Sequence, residues 1–584
     1  VTPDPVWYVP AGTPGAGAQN LRVVPGGTPT DFQANDAIVF NDLAASGTVV
    51  ISEGNVSPSS LTIDNSTLAY AFSGSFGITG ETGFVKNGTA QATFANTGNN
   101  FTGGVVVNAG TLVFQSAQTI AGGLTVNGGN LVLAAANTIT GNASLNGAGT
   151  LTVTAPGALG TGNVVAFGSG ATGEFQLAGN NVTVSGLTTH ATVGTPKVVN
   201  GVSSTTATLT LDLASGTGAF GGVLADGSLG TLALAKTGAG TFVLTGANTF
   251  TGGSTVSVGT LQVGQGGVLG NASISSGALL SFNRPDSFTH AANTTGLGSV
   301  TVLGGGNLTL TGSFTHDGGT NVAAGQIITL GNGGSIGGAG VLTVDGSLKV
   351  NNTGSASIGA VIGGLGSLSV DAGALVLTGA NIYQGATTVA SGATLQVGNA
   401  GSVGALPPSA VVTNNGTLVI SRSGSLTFAN SVNGSGDFVS RMAAGGTLTL
   451  SGTNGYAGLT RVENGTLIIG SAAAWSGSNS VVLGSVGGSA TLELNGLSKS
   501  FASLTTAGIA GNQVVRNSAV GTSALTFTGA GTVSFGGSFV EAAANTKIAI
   551  GYSGGGTLAF GSTNTYTGGT VISNGTLVAA GTWS

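Results

Sequence analysis

The chain has 584 residues and a formal net charge of −6, with 41% hydrophobic residues, only 5% charged residues and no cysteine. Basic residues scattered singly exclude an electrostatic nucleic-acid surface. The missing cysteine excludes disulfides and thiolate metal sites, and the lack of any 18-residue apolar run excludes a membrane-spanning helix.

Residues 1–35 hold six of the twelve prolines: Pro3, Pro5, Pro10, Pro14, Pro25 and Pro29. Proline cannot donate to a strand ladder. The stretch reads either as an irregular lead that caps the first coil, anchored by Trp7 and Tyr8, or as a flexible leader. A start at Val1 rather than Met fits removal of a signal peptide. From Asp36 the sequence runs DAIVFNDLAASGTVVISEGNVSPSSLTIDN. These are short alternating runs bounded by Gly, Asn, Ser and Pro, the pattern of short half-buried strands.

The clearest unit is Ala235–Gly264, AKTGAGTFVLTGANTFTGGSTVSVGTLQVG. Phe242 and Leu244 alternate with Thr241, Val243 and Thr245. After a turn-rich corner come Val256 and Val258, then Leu261 and Val263. Related copies begin at Asn99, Ala374, Gly446 and Gly556. Gly-Thr-Leu at 446–448 returns at 465–467, and the one at 556–558 returns at 575–577, each nineteen positions later. No segment has the 3.6-residue spacing of an amphipathic helix. A fixed return near 20 residues predicts an all-β fold, a single-stranded right-handed parallel β-helix (β-solenoid) of about 25–30 coils of about 20 residues. Each coil would hold three short strands and would bury its inward row, Phe242, Leu244, Val256, Val258, Leu261 and Val263, only by stacking on its neighbours. The solenoid is expected over 36–584, with loop insertions near 186–208, around Pro196, and near 282–291.

The segment from Asp36, followed by Val-Lys-Asn-Gly-Thr at 85–89 and Phe-Thr-Gly-Gly-Val at 101–105, resembles the start of proteins carrying autotransporter-associated β-strand repeats, also called passenger-associated transport repeats. The resemblance implies a secreted parallel β-helix passenger displayed on the outer surface of a Gram-negative-type bacterium. Such proteins continue into a translocating membrane β-barrel, and none follows here before Ser584.

Residues that could carry chemistry are few. Polysaccharide-cutting solenoids need paired carboxylates in a groove. The best candidate cluster is Arg284, Asp286 and His290, with His316 and Asp317 one or two coils on. Asp226-Gly227 and Asp345-Gly346 read as turn dipeptides. Three widely spaced histidines give no metal site. Asn248, Asn381, Asn454 and Asn564 recur at one corner, where Asn tolerates left-handed backbone and hydrogen-bonds locally. The reading is therefore a non-enzymatic extracellular structural or adhesive protein, surface-displayed or assembled into filaments, with no catalytic, cofactor-binding or metal residues. A secreted polysaccharide-acting enzyme is the alternative. Partners would be a glycan or surface ligand, met by Thr, Ser, Asn and Gln of the outer row, and other copies end to end. The last coil, followed only by Val578–Ser584 and Trp583, is expected to be covered by something outside this sequence.

Overall fold

The computed structural model describes residues 21–22, 29–44, 46–201, 204–475, 479–508 and 512–579. Trp7, Tyr8 and Trp583 lie outside the described residues, as does most of the Pro-rich lead. Within that lead, Leu21–Arg22 pairs antiparallel with Pro29–Thr30. The contacts divide the chain into two compact units, one of residues 1–284 with 292–298 and one of 285–291 with 299–584.

In the first unit, alternating Val, Leu, Ile and Phe turn every second side chain inward, and the chain coils to cover that row. Val105, Leu124 and Ala143 stand opposite one another in three successive parallel strands, Val105–Val107, Leu124–Val126 and Ala143–Leu145. Leu112 and Leu131 do the same in the next strand of the same coils. A short third strand sits at the corner in Asn100–Phe101, Thr119–Ile120 and Thr138–Ile139. The period of nineteen read from the sequence is thus the ladder register. Stacking builds an eight-stranded sheet from Ala37–Asn41 to Gly186–Thr189 and a nine-stranded sheet from Thr48–Val50 to Val223–Ala225. Phe72 and Phe94 stack inside at 4.3 Å, with Phe84, Phe101 and Phe114 packed around them. Each such buried ring stabilises the stack by about 1.5–3 kcal/mol.

The 186–208 stretch, expected as a loop insertion, carries two ladder strands and the start of a third, Thr206–Asp212. Gly186–Thr189 pairs with Val164–Phe167, and Lys197–Val199 pairs with Glu174–Gln176. Pro196 sits just before the second strand, where its missing N–H costs no ladder bond. The 282–291 stretch likewise contains the strand Phe288–His290, paired with Leu308–Leu310.

Phe242, Leu244, Val256, Leu261 and Val263 are buried as their alternation predicts, but Val258 is 48% exposed. The strand ends at Val256. Val258 stands in the corner before Gly259, whose φ of +71° suits only glycine and where a Cβ would meet the Gly238 carbonyl at 2.5 Å. The period-two pattern stops at this corner, so the parity of Val258 does not carry through it.

The second unit, taken by itself, holds a parallel ladder in a sheet of nineteen strands from Phe288–His290 to Ser538–Glu541. Here some strands run through what is a corner elsewhere. Ser367–Leu377 is eleven residues long. Its first part pairs with Thr387–Val389 and its second with Thr394–Val397. Its own partner, Ser347–Ile358, shows register breaks beside Asn351. Two faces of the coil thereby merge into one bent sheet, a departure from three separate short strands.

Candidate functional site

The recurrent corner asparagines are buried, and none has a positive φ. Their role is to join coils. Asn248 accepts from the Leu224 N–H at 2.9 Å and donates to the Val268 carbonyl at 2.9 Å. Asn381 accepts from Ile362 N–H and donates to the Ala405 carbonyl, and Asn454 accepts from Val432 N–H and donates to the Ala474 carbonyl. In each case the oxygen meets the preceding coil and the amide nitrogen meets the following one. Asn99, Gln118 and Asn137 continue the device, with Asn99 donating to Gln118 Oε1 at 2.6 Å and Asn137 accepting from Gln118 N–H at 2.9 Å. Local left-handed backbone, the expectation from sequence, is therefore replaced by inter-coil bridging.

Two residues after the asparagine comes an aromatic, and four residues later a hydroxyl. The Tyr383, Tyr456 and Tyr566 hydroxyls lie 2.6, 2.6 and 2.7 Å from Thr387, Thr460 and Thr570 Oγ1. His316 fills the same slot, with Nε2 3.0 Å from Thr320 Oγ1 and 3.1 Å from the Gly319 carbonyl. This places one of the proposed catalytic residues as a core aromatic. His290 is also buried, and both histidines meet Phe314 edge-on, at centroid distances of 5.8 and 5.6 Å. Burial pushes His290 down to about 4. Burial lowers His316 as well, against the pull of the Gly319 carbonyl and the Asp317 carboxylate. Both are thus neutral imidazoles facing the core. Asp317 is exposed and accepts from the Ala339 N–H one coil on. Asp286 is half-buried in the same unit, and Arg284, in the first unit, is buried and donates to the Gly267 carbonyl. Asp226 and Asp345, read as turn residues, take Thr251 and Leu365 N–H groups from the following coil.

Two lysines that sequence reading passed over lie fully inside. Lys86 donates to the carbonyls of Asn87, Gly88 and Ala109, and Lys236 to those of Thr237, Gly238 and Val258. Each ammonium closes a corner whose carbonyls would otherwise be unpaired. The signal was present: Lys86 follows Phe84, and Lys236 follows Leu234, at inward parity.

Outside, polar side chains bond one another along the coils. Asn108 donates to Asn87, Asn127 to Asn108 and Asn146 to Asn127, at 2.7–2.8 Å. Hydroxyl pairs such as Thr206 with Thr231 and Ser347 with Ser367 do the same. On the first unit's nine-stranded sheet, a shallow depression of about 480 Å³ interrupts this surface, lined by Glu174, Gln176, Lys197, Val199, Val223 and Asp226 among others.

The passenger-associated-transport-repeat profile matches residues 84–114, 109–133, 234–263, 300–327, 370–397, 445–469 and 552–579. The corner asparagines except Asn137, the three tyrosines, both caged lysines and His316 fall within these stretches. The adhesin BmaC autotransporter of Brucella suis biovar 1 (strain 1330) is 32% identical to this chain over a match covering 34% of this chain and 6% of that protein. The chain thus matches only a small part of that relative's length. Seven matched stretches, each running through a ladder strand and its corner, show that this chain carries passenger-associated transport repeats, and these repeats fold as coils of a parallel β-solenoid.

Proposed function

We propose that this chain is a non-enzymatic adhesive passenger, displayed on or released from the outer surface of a Gram-negative-type bacterium. It would meet a glycan or other surface ligand through its outer rows. The observation that carries the reading is the set of seven passenger repeats, joined by a partial match to a protein named as an adhesin. The outer rows support it, because rigid coils hold amides and hydroxyls in fixed register, which lowers the entropy cost of multiple weak contacts. End-to-end association of copies belongs to the same reading and is tested by light scattering at micromolar concentration. The main test is binding of fluorescent beads coated with the chain to epithelial cell layers. Retention at several times the level of albumin-coated beads is expected, and equal retention refutes adhesion.

The alternative, a polysaccharide-acting enzyme using Arg284, Asp286, His290, His316 and Asp317, is disfavoured by the core positions of both histidines. Release of new reducing ends from pectin, alginate or xylan would revive it.

A further inference from the structure

From the lining of the depression on the first unit's nine-stranded sheet, we infer a binding site for a neutral sugar residue of a glycan. The inference rests on the adhesive reading above and gives it a location.

Three strands build the site. In the ladder Glu174 stands opposite Lys197, which stands opposite Val223. Gln176 stands opposite Val199, which stands opposite Ala225. The residues come from positions 23 and 26 apart in sequence, so only the stacking assembles them. Val223–Ala225 is the last strand of its sheet. In the following coil the chain passes here as the corner around Thr249, and the surface drops. Gly227 forms part of the wall and admits no side chain, since a Cβ there would lie 1.7 Å from the Asn200 carbonyl oxygen.

Elsewhere on the outer face, polar neighbours on adjacent coils bond each other, as Asn108 does Asn87. Here Glu174 and Lys197, opposite one another in the ladder, do not. Among the described residues no ion pair joins Glu174 to Lys197. Glu174 instead accepts from Gln176 Nε2 at 2.8 Å, and Lys197 is exposed. Asp226 is held in place by the Leu232 and Thr251 N–H groups and the Thr251 hydroxyl.

An occupant must therefore give hydrogens to a carboxylate and accept them from an ammonium on the neighbouring strand, about 4.8 Å away. An anion answers only the lysine and meets two carboxylates; a cation answers only the acids and meets the lysine. Sugar hydroxyls both donate and accept, and two on adjacent ring carbons reach both partners. Val199, Val223 and Ala225 offer the apolar floor against which the C–H face of a pyranose can rest. The site is shallow and open, which suits weak binding multiplied by many copies on a cell surface.

The experiment uses the full chain on immobilised neutral glycans (mannan, galactan, chitin oligosaccharides and lactose-terminated glycans), with heparin and sialyl-lactose as charged probes. At least one neutral glycan should be bound. That binding should fall at least tenfold in both Lys197→Met and Glu174→Ala, with melting temperatures within a degree or two of the parent. Thr255→Ala, on another sheet, is the control and should bind normally. Undiminished binding in both variants overturns the site. Binding confined to heparin or sialyl-lactose overturns the neutral assignment. No glycan binding by a chain that still adheres to cells overturns this inference alone, and loss of both overturns the adhesive reading with it.

Discussion

Phe250 precedes Ser254 by four residues, the spacing at which Tyr383, Tyr456 and Tyr566 bond Thr387, Thr460 and Thr570, but its ring has no hydroxyl to offer. The Ser254 hydroxyl is buried and, among the described residues, has no hydrogen-bond partner. At the equivalent corner of Phe101 the matching residue is Val105, so no group is stranded there. Phe250→Tyr is expected to stabilise this coil by about 1 kcal/mol, the net worth of one hydrogen bond. Hydrogen exchange of amides 250–260 reads the gain locally. Ser254→Ala should be neutral or slightly stabilising, and a clear loss there would refute the account.

Asn381→Ala removes the link between coils on both sides. It leaves the Ile362 N–H without its side-chain partner, while the Ala405 carbonyl keeps the Asn381 backbone N–H. A loss of about 1–3 kcal/mol in local stability follows, from one stranded group. Urea unfolding followed by limited proteolysis should show cleavage near 360–405 at lower urea than in the parent. Unchanged protection would show that the amide bridges carry no weight.

Leu244 is fully buried and Thr245 exposed. Leu244→Asp places an unpaired carboxylate in the apolar row and should cost several kcal/mol, opening the coil or the unit. Thr245→Asp should shift the melting temperature by no more than a degree or two. Equal effects on thermal unfolding by circular dichroism would reverse the assignment of inside and outside.

The caged lysine sets a pH dependence. Burial, opposed by Asp64 and Asp42, pulls Lys86 from 10.5 down to about 8, and Lys236 moves in the same direction. Between pH 8 and 10.5 the unfolded chain then holds more protons than the folded one. Stability should rise with pH in that window. Above pH 10 the buried tyrosines act oppositely: burial raises Tyr383 to about 12, so the folded state resists their ionisation and loses stability as pH climbs. Melting temperatures should climb from pH 8 to 10 and fall beyond it. Lys86→Met should flatten the rising limb, and a parent flat from pH 8 to 10 would refute the lysine's role.

Much of this architecture is legible before folding, because a coil that returns after nineteen residues in its most regular copies repeats its inward row in the one-dimensional pattern. Phe242 and Leu244 announce their faces by alternation alone. Corners are harder. Val258 sits two residues from Val256, yet Gly259 turns the chain, and parity does not survive a turn. His316 looks catalytic beside Asp317 until Gly-Ser-Phe-Thr-His is aligned with Gly-Ala-Asn-Ile-Tyr at 379–383, which reveals a core aromatic slot. The depression at Glu174, Lys197 and Asp226 is invisible in sequence because its parts are neighbours only through ladder register.

The corner amide also has a direction. Its oxygen answers the coil already laid down, and its nitrogen waits for the coil to come. Asn564 keeps this polarity on its oxygen, which accepts from Phe539 N–H, and its nitrogen donates to the Ser562 carbonyl of its own coil, as those of Asn381 and Asn454 also do to Gly379 and Gly452. Such a polarity works as a gauge of length. A duplication or loss of one entire coil keeps corner facing corner, so that amides can still bridge, whereas a change of half a coil sets corner amides against strands at both seams. Chains of this kind can therefore lengthen or shorten in evolution by whole turns, and reach becomes a heritable trait set independently of what any single turn displays.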